Sequence, residues 1–169
     1  MIIAQHDFKD EELAIPKEML EKEKHRIMIA SLNRTPATGV SGKTVLPDLG
    51  IHEASPEFFD CFVIVGGPGS PSLSQNASVL NLMQQANKLN KTLAAICLGP
   101  MALAKAGALV GKDATVFPDS KAINTLKQNG AYYFAKPLVE SRNTITADSP
   151  ESAGIFGDAI IRALKEKGL

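Results

Sequence analysis

The sequence predicts an α/β protein, a mostly parallel sheet with helices packed on both faces. Short apolar runs of strand length alternate along the chain with stretches whose apolar residues recur at helical spacing. Two of those runs, 62–65 and 92–96, are apolar almost throughout, as strands covered on both faces are. Each ends in a tight turn of small residues, Gly66-Gly67-Pro68-Gly69 after the first and Cys97-Leu98-Gly99 after the second. The 169 residues suffice for one domain with a full core, taken as 1–169, and are few for two.

In chain order, residues 1–5 form a short apolar first strand and His6-Asp7-Phe8-Lys9 a polar turn. Asp10 is placed to cap a helix through Leu13, Met19 and Leu20 into the charged residues 21–24, and Pro16 is expected to kink it or force a second start. A second strand follows at 26–30. Residues 33–56, rich in Gly, Pro, Ser and Thr, read as an irregular excursion or small hairpin at the sheet edge. Val79, Leu82, Met83, Ala86 and Leu89 give a helix over 77–89. Beyond residue 97, Pro100 opens a helix over 99–106, since proline is favoured in a first helical turn. A short strand at 114–117, a helix over 120–129 ended by Gly130, strand pieces at 131–134 and 138–140 and a last strand at 143–147 come next. Ile155, Phe156, Ala159, Ile160, Ala163 and Leu164 mark the buried stripe of a closing helix over 151–167.

Composition narrows the function classes. Lys plus Arg and Asp plus Glu balance at 18 each, so there is no electrostatic footprint for nucleic acid or an anionic membrane. The two cysteines lie in different contexts, and no signal peptide or apolar run near ~20 residues is present, which points to the reducing cytoplasm. Asn76-Ala77-Ser78, a formal glycosylation acceptor, is without meaning there.

Cys97 sits where a buried strand turns sharply into a helix, flanked at two residues' distance by Ala95 and Gly99. That is the layout of a nucleophile elbow with Cys in place of Ser. The free N–H groups and positive end of the helix are expected to favour the thiolate and lower the thiol's pKa. From the residues alone, a buried core thiol and a nucleophile both fit Cys97. Cys61 starts an apolar strand without that context and reads as core. Gly66-Gly67-Pro68-Gly69 reads as an ordinary turn or an anion nest, and at a strand's carboxyl end the N–H groups of Gly67 and Leu98 would form an oxyanion hole beside the sulfur.

Other motifs carry less. Residues 37–44, Ala-Thr-Gly-Val-Ser-Gly-Lys-Thr, approach a phosphate-binding loop, but Pro47 and Gly50 oppose the helix such a loop must open. His25 reads as exposed and His52 as a loop residue. His6 ends the first strand and is either a solvated turn residue or an auxiliary group near the thiol. None of the three has metal-ligand spacing, so neither a metal nor a cofactor is expected. Asp10, Glu11 and Glu12 look like solvated acids at a helix start.

Several stretches together carry a resemblance to a known family. Residues 8–16 (Phe-Lys-Asp-Glu-Glu-Leu-Ala-Ile-Pro), 56–60 (Pro-Glu-Phe-Phe-Asp) leading to Val65-Gly66-Gly67, 94–100 (Ala-Ala-Ile-Cys-Leu-Gly-Pro) and 146–150 (Thr-Ala-Asp-Ser-Pro) resemble the ThiJ/PfpI superfamily of archaeal intracellular proteases and the Parkinsonism-linked deglycase. The resemblance implies a flavodoxin-like three-layer sandwich with Cys97 as reactive thiol, Glu12 as the carboxyl group touching it, Gly67 and Leu98 as backbone oxyanion donors, and a homodimer or larger homo-oligomer. The protease branch has His where Leu98 stands, and the deglycase branch has His where Phe117 stands. Neither replacement moves a proton, so the peptidase scheme is incomplete and acid–base work falls to Glu12, His6 or water. The implied activity is glyoxalase- or deglycase-type chemistry on a small aldehyde or glycated substrate. The alternatives are an oxidative-stress sensor or chaperone-like protein working through Cys97 oxidation, and a cysteine peptidase or amidase.

Overall fold

The computed structural model describes residues 1–169. After an extended opening segment come β1 (His6–Phe8), α1 (Asp10–Lys22), β2 (Ala30–Ser31), β3 (Ala37–Gly39), β4 (Thr44–Val45), β5 (Leu49–Gly50) and β6 (Cys61–Ile64). The second half continues with α2 (Ala77–Lys88), β7 (Thr92–Ile96), α3 (Pro100–Lys105), β8 (Asp113–Ala114), α4 (Ser120–Gln128), β9 (Tyr132–Tyr133), β10 (Leu138–Ser141), β11 (Thr144–Ala147) and α5 (Ala153–Glu166).

The main sheet runs β10-β11-β7-β6, with β11, β7 and β6 parallel and β10 antiparallel to β11. Ile2 extends it, bridging Ile64 on one side and Ala30 on the other, and β2 then pairs in parallel with β5 at the edge. The two-residue period of the strands sorts their side chains between the faces. Phe62, Ile64, Leu93 and Ala95 pack with Val79 and Met83 of α2, Met101 of α3 and Leu126 of α4. Val63, Ala94 and Ile96 pack with Leu20 of α1 and Phe156, Ile160 and Leu164 of α5. Helices thus cover both faces of a mostly parallel sheet, the flavodoxin-like sandwich that was expected.

The opening of the chain departs from expectation. Residues 1–5 enter the sheet through the Ile2 bridges alone, and His6–Phe8, read as a turn, is a short strand pairing with β3. Three residues with two side chains exposed leave no apolar alternation to detect. Asp10 does not cap α1; its carboxylate accepts from the Ser41 N–H (2.9 Å) and hydroxyl (2.6 Å), tying the β3–β4 hairpin to the helix start. Pro16 neither breaks nor restarts α1, which runs through it. Packing offsets its missing N–H: Gly157 of α5 leaves the two helices in close contact at Pro16 and Met19. The loop-like residues 37–44 form that hairpin and open no helix.

Candidate active site

Three elements converge at the carboxyl end of the sheet. β7 delivers Cys97, which has φ 59°, a left-handed conformation rare for a side-chain-bearing residue and diagnostic of an elbow. Its N–H donates to the Ala147 carbonyl (2.9 Å) and its own carbonyl accepts from the Phe117 N–H (2.8 Å), so the strained residue is held from both sides. A Cβ at Gly99 would come within 2.7 Å of the Ile64 carbonyl, so this turn needs glycine.

β6 delivers the glycine loop. The Gly66 N–H donates to Glu12 Oε2 at 2.8 Å. A Cβ at Gly66 would lie 2.6 Å from Cys97 Cβ, Glu12 Oε2 and the Ile96 carbonyl alike, so its absence lets carboxyl and thiol meet. Gly67 has φ 107°, and its N–H and that of Leu98 lie by the Cys97 sulfur, where each favours the thiolate. The positioning role of Gly66 was not foreseen; the doubled glycine was the trace it left in the sequence.

α1 delivers Glu12. Although flanked by exposed Glu11, it is 0 % exposed, on the same helix face as Pro16 and Leu20. Oε2 is satisfied by Gly66, whereas Oε1 is buried with no hydrogen-bond partner. His6, the proposed auxiliary, is exposed and without a side-chain hydrogen bond; its carbonyl rather than its imidazole meets the loop, against Gly69. Leu98 packs between the two apolar layers, and Phe117 is 39 % exposed.

The protonation states follow from burial. Desolvation pushes the Glu12 carboxyl up to about 7, outweighing the Gly66 N–H and the neighbouring Cys97 side chain that pull it down. Desolvation first and the Glu12 charge second push the Cys97 thiol up to about 12, against the Gly67 and Leu98 N–H groups. The lowered thiol pKa expected from the helix start therefore does not hold while Glu12 is ionised. α3 is a short helix, and at 6 % exposure Cys97 is shielded from water. With the carboxyl ionising near neutrality and the thiol only well above it, the first negative charge of the pair lies on Glu12.

This pairing sets a pH dependence of stability. The Glu12 pKa is raised in the folded state, so its contribution is fully present below about 4.5 and is lost as pH rises through about 7. Between those values the loss amounts to roughly 3 kcal/mol. In urea unfolding, the stability of the wild type relative to Glu12→Gln is expected to fall by about that amount from pH 5 to pH 8. A constant difference between the two proteins would show that Glu12 is not protonated by burial.

Fold and site define a class: flavodoxin-like α/β proteins with a buried cysteine at a strand–helix elbow, faced by a carboxyl group and two backbone N–H groups. The chain belongs to the DJ-1/PfpI family, whose model matches residues 1–163. It is 37 % identical over 167 residues to an uncharacterized protein of Methanocaldococcus jannaschii, covering 98 % of this chain and 82 % of the relative. It is 32 % identical over 165 residues to the deglycase PfpI of Pyrococcus furiosus, covering 98 % of both chains. Among solved structures, a ThiJ/PfpI domain protein from Brachyspira murdochii superimposes with a TM-score of 0.92 at 25 % identity, covering 98 % of this chain and 94 % of the other. No helix is long and apolar enough to cross a membrane.

Proposed function

We propose that this chain is a Cys97-dependent enzyme acting on small reactive carbonyl compounds, by glyoxalase-type conversion of a 2-oxoaldehyde or related deglycation. The observation that carries the reading is the convergence of the Glu12 carboxyl and the Gly67 and Leu98 N–H groups on one sulfur. Deglycases among the relatives support it. The slight exposure of Cys97 also favours a small carbonyl over a polypeptide.

The sulfur forms a bond to the aldehyde carbon, and the carbonyl π pair moves onto oxygen, where the two N–H groups hold the oxyanion. The thiol proton passes through Glu12 to that oxygen, giving a hemithioacetal. Glu12 then takes the proton from the former aldehyde carbon and returns one to the neighbouring carbon, while the hemithioacetal hydroxyl proton passes to the neighbouring oxygen, leaving a 2-hydroxy thioester. Water cleaves the thioester to a 2-hydroxy acid and restores the thiol. No histidine is required, because a single carboxyl group whose pKa lies near neutrality serves as both base and acid.

The chain is proposed to work as a homodimer or larger homo-oligomer, which the apolar Ile15, Val40 and Leu46, exposed on α1 and around the hairpin, support. The test is a panel of 2-oxoaldehydes with wild-type protein, followed by chiral analysis of the products. A single 2-hydroxy acid enantiomer formed catalytically is expected; stoichiometric loss of aldehyde without product would leave Cys97 a scavenging thiol and defeat the reading.

A further inference from the structure

At the end of the sheet away from Cys97 lies a cavity of about 380 Å³ with no part in the carbonyl chemistry. It opens between the C-terminal end of α1, the face of α5, the chain entering β2 and the turn entering β6. Cys61, at the start of β6, lines it, whereas Gly66 beyond the end of that strand belongs to the thiol site. At about 3.3 Å per residue the two places are roughly 15 Å apart. The volume falls within the range of small-molecule sites, about 300–1,000 Å³.

Leu20, Ile27, Val63, Ile160 and Leu164 supply apolar walls, and Phe58, 81 % exposed, stands at the rim. The polar groups of the lining are unevenly committed. Arg26 is exposed and enters none of the chain's ion pairs. His25, expected to be exposed, is half-buried, and its Nε2 is buried without a partner. Glu23, the acid acting on His25, is already paired with Lys165 at 2.6 Å. Lys167, outside the lining, donates to the Asn90 carbonyl at 2.9 Å, and Asp60 places a carboxylate in the lining. The cavity thus combines an apolar interior with an unpaired guanidinium at its edge, whose complement is an anion on an apolar tail.

We propose that this cavity binds an aliphatic carboxylate of medium chain length. Its tail lies among Leu20, Val63, Ile160 and Leu164, and its headgroup meets the Arg26 guanidinium. The guanidinium fork suits a planar carboxylate.

The test is titration of the intact protein with a dansyl-labelled undecanoate, displaced by decanoate and, as neutral match, by decanol. Saturable binding of one probe per chain is expected, with decanol and the Arg26→Ala variant each weaker by about tenfold or more. Arg26→Ala should leave aldehyde turnover unchanged. In a Cys97→Ala background, saturating decanoate is expected to slow modification of Cys61 by a small methanethiosulfonate, which locates the ligand in this cavity. Absence of saturable binding, equal affinity for decanol, indifference to Arg26→Ala or an unprotected Cys61 would each overturn the proposal. So would a concentration-dependent dimer that Phe58→Arg dissociates and that excludes the probe, since the face would then belong to a second copy.

Discussion

Cys97→Ala is expected to lower aldehyde turnover by about a thousandfold or more, the usual loss when a covalent nucleophile is removed. The fold should survive it. Alanine, like cysteine, bears a Cβ at φ 59°, so no new backbone strain is added, and the Ala147 and Phe117 hydrogen bonds are made by the Cys97 backbone. Glu12 would lose its thiol partner but keep the Gly66 N–H. Retained turnover in a folded Cys97→Ala protein would remove the sulfur from the chemistry altogether.

Glu12→Gln separates the two tasks proposed for the carboxyl group. Because the Glu12 charge is the second-largest influence holding the Cys97 thiol up, a neutral amide at this position lowers the thiol pKa. Above pH 7, alkylation of Cys97 should therefore be faster in Glu12→Gln than in the wild type. Turnover should nevertheless fall, by about a hundredfold or more, because an amide cannot carry the proton. A faster thiol in a slower enzyme is not what a purely structural role for Glu12 produces.

Most of the sheet was legible because its strands are apolar and its helices periodic. The runs at β6, β7 and β11, and the helices α2, α4 and α5, lie within a residue or two of where the pattern placed them. The elbow was legible for a different reason: a strand, a small-residue turn and Pro100 in succession leave few other conformations. Glu12 was not legible from composition, because three consecutive acids at a helix start look alike. What distinguishes it is that Pro16 and Leu20 follow at four and eight residues, which puts it on the buried face, and the family resemblance picked out the same residue. The thiol's lowered pKa was expected because local sequence shows the helix start but not the depth at which the sulfur is buried. His25 was misread similarly: a charged run precedes it, and only the packing of α1, α5 and β6 encloses its ring edge.

Gly66→Ala is expected to damage stability and chemistry together, more than its single added methyl group suggests. The new Cβ would stand 2.6 Å from Cys97 Cβ, the Ile96 carbonyl and Glu12 Oε2. The first two belong to β7 and the elbow, in the middle of the sheet, and cannot yield without moving the strand. Glu12 can yield, but only by giving up the Gly66 N–H and leaving the thiol. Overpacking of this kind costs about 3 kcal/mol, seen as a fall in Tm of roughly 6–12 °C for a chain of this size. The displaced carboxyl should reduce turnover by about a hundredfold, as when a catalytic group is lost by misplacement. Gly154→Ala in α5 is the control: nothing lies within 4 Å of its added Cβ, and alanine in place of a helical glycine should stabilise by about 0.5–1 kcal/mol without changing turnover. If both variants behaved alike, the contact between α1, the glycine loop and the elbow would not be what holds Glu12 against Cys97.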